Sequence, residues 1–165
     1  MEIFNLNNEE IRSKIENMYI MLLYSIMKED INRVKHHLSD ELVEHYRQVI
    51  ENNISRNIVQ KYGELNVSSV DIISNRNGII TAKIVAKYID YRINRTTRKF
   101  IDGEKERSTH IITLKIRYQE HNKSNVYRCP SCGAVLNVNL TSICQYCNEP
   151  LEDEESVYVI ESINF

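Results

Sequence analysis

Glycine and proline are scarce in this chain: four and two among 165 residues. That scarcity excludes collagen-like, linker-like and glycine-rich nucleotide-cradling designs. Cationic excess is also missing. Lys and Arg number 21 against 23 Asp and Glu, a net charge of −2, so the chain lacks the basic footprint of a generic nucleic-acid binder. Long apolar runs are absent as well. The longest uncharged stretch near the start, Asn17 to Met27, has eleven residues, whereas a membrane span needs roughly 20. The opening residues are acidic where a signal or transit peptide is basic, which predicts no export address. The expected location is therefore a reducing cytoplasm, where four cysteines in two close pairs suggest metal before disulfide.

Isoleucine occurs 23 times, and 42% of residues are apolar, enough for a packed core. Ile11, Ile15, Met18, Leu22 and Ile26 recur at helical spacing, and Tyr19, Leu23 and Met27 widen the stripe. Asn8 is the expected cap of this helix, with Glu9 and Glu10 in its first turn. A second helix is expected from Ser39, with stripe residues Leu42, Tyr46, Val49 and Ile50 continuing through Ile54 and Ile58 to a stop at Gly63. The period then changes to two. Leu65–Ser74 reads as a strand, Asn75–Gly78 as a hairpin turn, and Asp102-Gly103 as the next turn. Ile80, Ala82, Ile84, Ala86 and Tyr88 form one apolar row, and Ile112, Leu114, Ile116 and Tyr118 form another. These patterns predict an α+β fold in which N-terminal helices cover one face of an antiparallel meander. The two rows are the candidate lining of an apolar pocket, because Ala82 and Ala86 leave room. The commoner outcome is that helix side chains fill it.

The most specific motif is Cys129-Pro130-Ser131-Cys132, followed after eleven residues by Cys144-Gln145-Tyr146-Cys147. Two C-x-x-C knuckles at this spacing predict one structural zinc ion held by four thiolates. Gly133 and Asn148, which follow the two knuckles, suit the positive φ such turns require. Two disulfides and a redox pair are the competing readings; Pro130 and Gly133 favour a knuckle over a helix-opening redox motif. With four ionised thiolates and one zinc the net charge becomes −4. Ser156–Phe165 reads as a closing strand, so the ribbon, residues 127–155, is an insertion before the last strand of a domain made of 1–126 together with 156–165.

The helices, the meander, CPSCGAVLNVNLTSICQYC and the closing VYVIESI strand resemble bacterial Tim-forty-four-like proteins, from about Leu22 to Ile163. These are relatives of the peripheral motor-tethering subunit of the mitochondrial inner-membrane translocase. The resemblance implies a cone of the nuclear-transport-factor-two-like (cystatin-like) type. It also implies a protein-tethering or membrane-peripheral role, and an apolar pocket between helices and sheet. Unlike the usual bacterial pattern, this chain shows no transmembrane segment.

The preferred function is a non-catalytic binding or scaffold module that engages a protein partner, with a lipid or other apolar ligand second. One alternative is a ketosteroid-isomerase-like enzyme, with Asp90 as a base beside Tyr88 and Tyr118. The other is a nucleic-acid-binding regulator. Arg92, Arg95, Arg98, Lys99, Lys105 and Arg107 cluster at the second hairpin, where intervening acids favour cross-strand ion pairs over phosphate contact. The ribbon from Cys129 to Cys147 contains no Lys or Arg. His36, His37 and His121 read as exposed loop residues, and His110 as a strand-end residue with a backbone partner.

Overall fold

The switch from a 3.6-residue to a two-residue period divides the protein as the sequence predicts. The computed structural model describes residues 8–120, 127–129, 132–136, 146–148 and 156–164. Helix α1 spans Asn8–Met27, and α2 spans Asp40–Ser55. Strands follow at Ile58–Arg76 (β1), Ile79–Asn94 (β2), Phe100–Gly103 (β3), Ser108–Glu120 (β4), Tyr127–Arg128 (β5), Val135–Leu136 (β6) and Ser156–Asn164 (β7). The chain divides into two compact units, Met1–Tyr118 with Tyr158–Phe165, and Gln119–Val157.

In the first unit two helices pack on a curved, unclosed antiparallel sheet of order β1-β2-β4-β7, with β3 beside β2. The predicted stripe of α1 is buried throughout, from Ile11 to Ile26, and Tyr19 and Leu23 join it. Helix α1 begins at Asn8, with Glu9 and Glu10 in its first turn as expected. Two 3-10 turns, Ile31–Arg33 and Lys35–His37, lead into α2. There Ser39 caps as expected, its hydroxyl accepting from the Leu42 N–H at 3.3 Å. Leu38 bridges Ile160 of β7 in parallel, and the Ser39 N–H donates to the Ile160 carbonyl at 2.9 Å.

The expected end of the second helix and the expected second turn need correction. Helix α2 ends at Ser55, not near Gly63, because Asn57 turns to φ 60° and β1 begins at Ile58. Gly63 is a strand residue at the first of three register shifts in β1, with Glu64 at φ 51°. Asp102-Gly103 is not a turn. The chain reverses at 95–98, where the Asn94 side-chain oxygen accepts from the N–H groups of Thr96 and Thr97, each at 2.9 Å. Gly103 instead lies in β3 opposite Tyr91 at φ 110°, and a Cβ there would lie 2.5 Å from the Asp90 carbonyl oxygen. Both the φ and the close backbone approach require glycine. Gly103→Ala should therefore cost about 2–3 kcal/mol, a fall of about 5–10 °C in melting temperature by circular dichroism.

The first hairpin is as predicted: Asn77 and Gly78, both at positive φ, join Arg76 to its partner Ile79.

Candidate functional site

The second unit holds the cysteines, which precede the last strand in the chain. Strands β5 and β6 pair Tyr127 with Leu136 and Arg128 with Val135, closing a hairpin around the first knuckle. Within it the Cys129 N–H donates to the Ala134 carbonyl, and the Gly133 N–H to the Cys129 carbonyl, both at 2.9 Å. Gly133 has φ 77° and Asn148 φ 61°, so the residue after each knuckle takes the conformation expected of it. Strand β6 returns after the knuckle, where a redox motif would open a helix.

The sulfurs of Cys129, Cys132 and Cys147 lie within 4.8 Å of one another. Cys129 Sγ and Cys147 Sγ are 3.6 Å apart. A disulfide needs about 2.05 Å, whereas the edge of a zinc–sulfur tetrahedron with bonds of about 2.3 Å is about 3.8 Å. The donor set and its spacing fit a thiophilic metal ion. Burial grades from Cys129, which is buried, to Cys132, which is exposed. Cys144 lies outside the described residues.

The first unit presents the two apolar rows. Ile80, Ala82 and Ile84 pair across strands with Ile116, Leu114 and Ile112, and Ala86 and Tyr88 continue the inner row. All eight are fully buried in one cluster with α1, and Tyr118 is half-buried against it. At the Tyr88 end of the rows the core turns polar. The Tyr19 and Tyr88 hydroxyls are 3.0 Å apart, and Tyr62 meets Tyr88 edge to face. Burial raises all three phenols above their ordinary range and pushes Tyr46 up to about 12.

Asp90 follows Tyr88 on the same strand face. Its carboxylate accepts from Gln60 Nε2 at 2.6 Å and lies 3.5 Å from Arg92 Nη1. Amide and guanidinium donors surround it in place of the apolar walls that a poised base would need. Glu104 is the neighbouring hub. It accepts from the Ser108 hydroxyl, from the Asp90 N–H at 2.8 Å and from His110 Nε2 at 2.9 Å. His110 stacks on Tyr88 at 3.9 Å, so its partners are side chains and not the backbone group expected for it. Ser108 and Glu104 meet the same imidazole nitrogen, so the trio lacks the relay of a nucleophilic triad, in which base and orienting acid use opposite nitrogens.

The Ser108 hydroxyl foremost, with the Asp90 N–H and His110, holds the Glu104 carboxyl below its ordinary range. A depressed folded-state value contributes stability above the unfolded value of about 4.3, lost as pH falls through the folded one. Glu104→Gln should accordingly be less stable than wild type at pH 7. Denaturant midpoints of the two should converge as pH is lowered towards 3.

Two polar links had no local sequence signal. Arg95 grips Glu29 with Nη1 and Nη2, at 2.7 and 2.5 Å, and Nη2 also donates to the Ile58 carbonyl. His37 is buried, not exposed, with Nδ1 3.0 Å from the Tyr158 carbonyl oxygen; His36 is exposed as expected. His121 lies outside the described residues. The basic hairpin forms the anticipated cross-strand pair, Arg92 with Asp102.

Among the described residues no helix is long and apolar enough to cross a membrane. No curated protein matches the chain significantly. The family model for the Tim44-like domain matches residues 5–124, a span that carries both helices and strands β1 to β4. The chain belongs to the Tim44-like domain family.

Proposed function

We propose that this chain is a non-catalytic binding and scaffold module that engages a protein partner. The match to the Tim44-like domain over most of the chain carries the reading. The engaged state of Asp90, Glu104 and His110 supports it, since each is bound into structural hydrogen bonds. In this reading residues 1–126 with 156–165 form the binding domain, and residues 127–155 form a ribbon around one structural zinc. Cys129, Cys132, Cys144 and Cys147 are its four ligands, and a closed sulfur shell folds the ribbon without supplying chemistry. The proposed location is the cytoplasm, peripheral to a membrane, in a transport role. A lipid or other apolar ligand beneath α1 is the second reading, favoured by the two methyl-sized side chains Ala82 and Ala86 in an otherwise bulky row.

The test is quantitative affinity capture from the native host with wild type and Asp90→Asn, alongside a small-molecule turnover screen. The expected result is the same partner at the same stoichiometry with both proteins. A compound consumed by wild type and spared by Asp90→Asn would overturn the scaffold reading in favour of an enzyme.

A further inference from the structure

The helices cover only one face of the sheet. On the other face Val85 of β2 lies directly opposite Ile111 of β4, and Ile111 is 55% exposed. At the third shift of β1, Ile73 is the extra residue and is 60% exposed. Lys83 and Lys87 flank Val85 on its strand, and Lys115 lies across from Thr81. None of the three lysine ammonium groups has an ion-pair partner among the described residues. Within residues 69–74, 81–87 and 109–115 the single acid is Asp71, the cross-strand neighbour of Lys83.

We propose that this outer face, an aliphatic centre ringed by Lys83, Lys87 and Lys115, docks an acidic segment of a partner protein with aliphatic side chains between its carboxylates. The proposal rests on the binding-module reading above. Charge complementarity selects the occupant: rim lysines steer and orient a negative partner while the desolvated centre supplies contact. A second copy fits poorly, because a two-fold interface sets this lysine-rich face against itself. An anionic membrane fits less well too. Polybasic lipid sites gather about four to eight cations; this face carries three lysines and Arg117, and Arg117 is paired with Glu161 while Asp71 sits among the lysines.

The probe is a synthetic nine-residue peptide alternating glutamate with valine, titrated into the isotope-labelled full chain. The expected result is amide shifts confined to residues 69–74, 83–87 and 109–115. Affinity should fall at least tenfold in K83E/K87E/K115E, a variant that changes only surface side chains and whose fold is checked by circular dichroism. Shifts elsewhere, no shifts, or equal affinity in the triple variant overturn the assignment. Co-sedimentation with phosphatidylglycerol vesicles that the triple variant loses overturns it in favour of a lipid surface. A dimer that the triple variant dissolves overturns it in favour of a second copy. In the capture experiment, a partner lost by the triple variant and kept by Asp90→Asn supports both proposals. A partner kept by both variants overturns this surface alone.

Discussion

Replacing Cys132 by serine should empty the proposed zinc site. A serine hydroxyl is not a zinc ligand of comparable strength, and the sulfurs that remain, those of Cys129 and Cys147 with that of Cys144 in the proposed set, do not close a four-sulfur shell. Structural zinc supplies roughly 10–16 kcal/mol of apparent binding free energy at pH 7. A two-stranded hairpin with two paired positions per strand is at best marginally stable by itself in water. The expected result is a fall from one zinc per chain to none by elemental mass spectrometry, with loss of the β5–β6 amide dispersion. Chelation of the wild-type protein should reproduce the spectrum of the variant, and Cys132→His should restore zinc. Cys144→Ser, tested the same way, decides the fourth ligand: retention of the ion removes Cys144 from the set. A Cys132→Ser protein that keeps a full zinc refutes the site.

Truncating Leu114 to alanine should cost about 2–5 kcal/mol, the range for deleting a fully buried aliphatic side chain whose surroundings relax only in part. The complementary substitution carries more information. Ala86 sits opposite His110 and next to Tyr88 in the row beneath α1. If α1 fills that space, Ala86→Leu overpacks it and lowers stability by about 1–3 kcal/mol. If the space holds an apolar ligand, the same leucine occupies it, and the apo protein gains stability while ligand binding is lost. Thermal melts with and without added long-chain lipid separate the two outcomes.

The features legible in the sequence are those set by neighbours within a few residues. The α1 stripe, the Ser39 cap, the even-numbered row of β2 and the positive φ after each knuckle all depend on local spacing or a local backbone demand. The α2 boundary failed because Ile50, Ile54 and Ile58 continue a four-residue spacing, which also suits the start of a strand; only Asn57 marks the break. Strand β1 runs beyond Leu65–Ser74 at both ends, to Ile58 and Arg76, because three register shifts interrupt its alternation and no single two-residue phase runs its length. Asp102-Gly103 has the composition of a turn, yet its glycine serves a close approach between backbones. At the candidate site, the cysteine spacing was visible, whereas the Glu104 hub depends on which strands become neighbours. The Arg95–Glu29 pair, 66 residues apart, and the His37–Tyr158 contact, 121 apart, carry no signal until the chain has folded.

The bridge between Leu38 and Ile160 bears on how the first unit assembles. The segment that leads into α2 finds its backbone partner in β7, the strand that completes the sheet order. Sheet completion and the anchoring of α2's entry are therefore one event, joining residues more than a hundred positions apart. Loop closure of that span must precede the contacts that reward it, which raises contact order and places folding on the slow side for a chain of this size. Until β7 arrives, β4 presents an unpaired edge and His37 has no carbonyl from Tyr158 to meet. The partly folded chain is thus most open to wrong strand pairing along β4, at the stage when a chaperone would have most to protect.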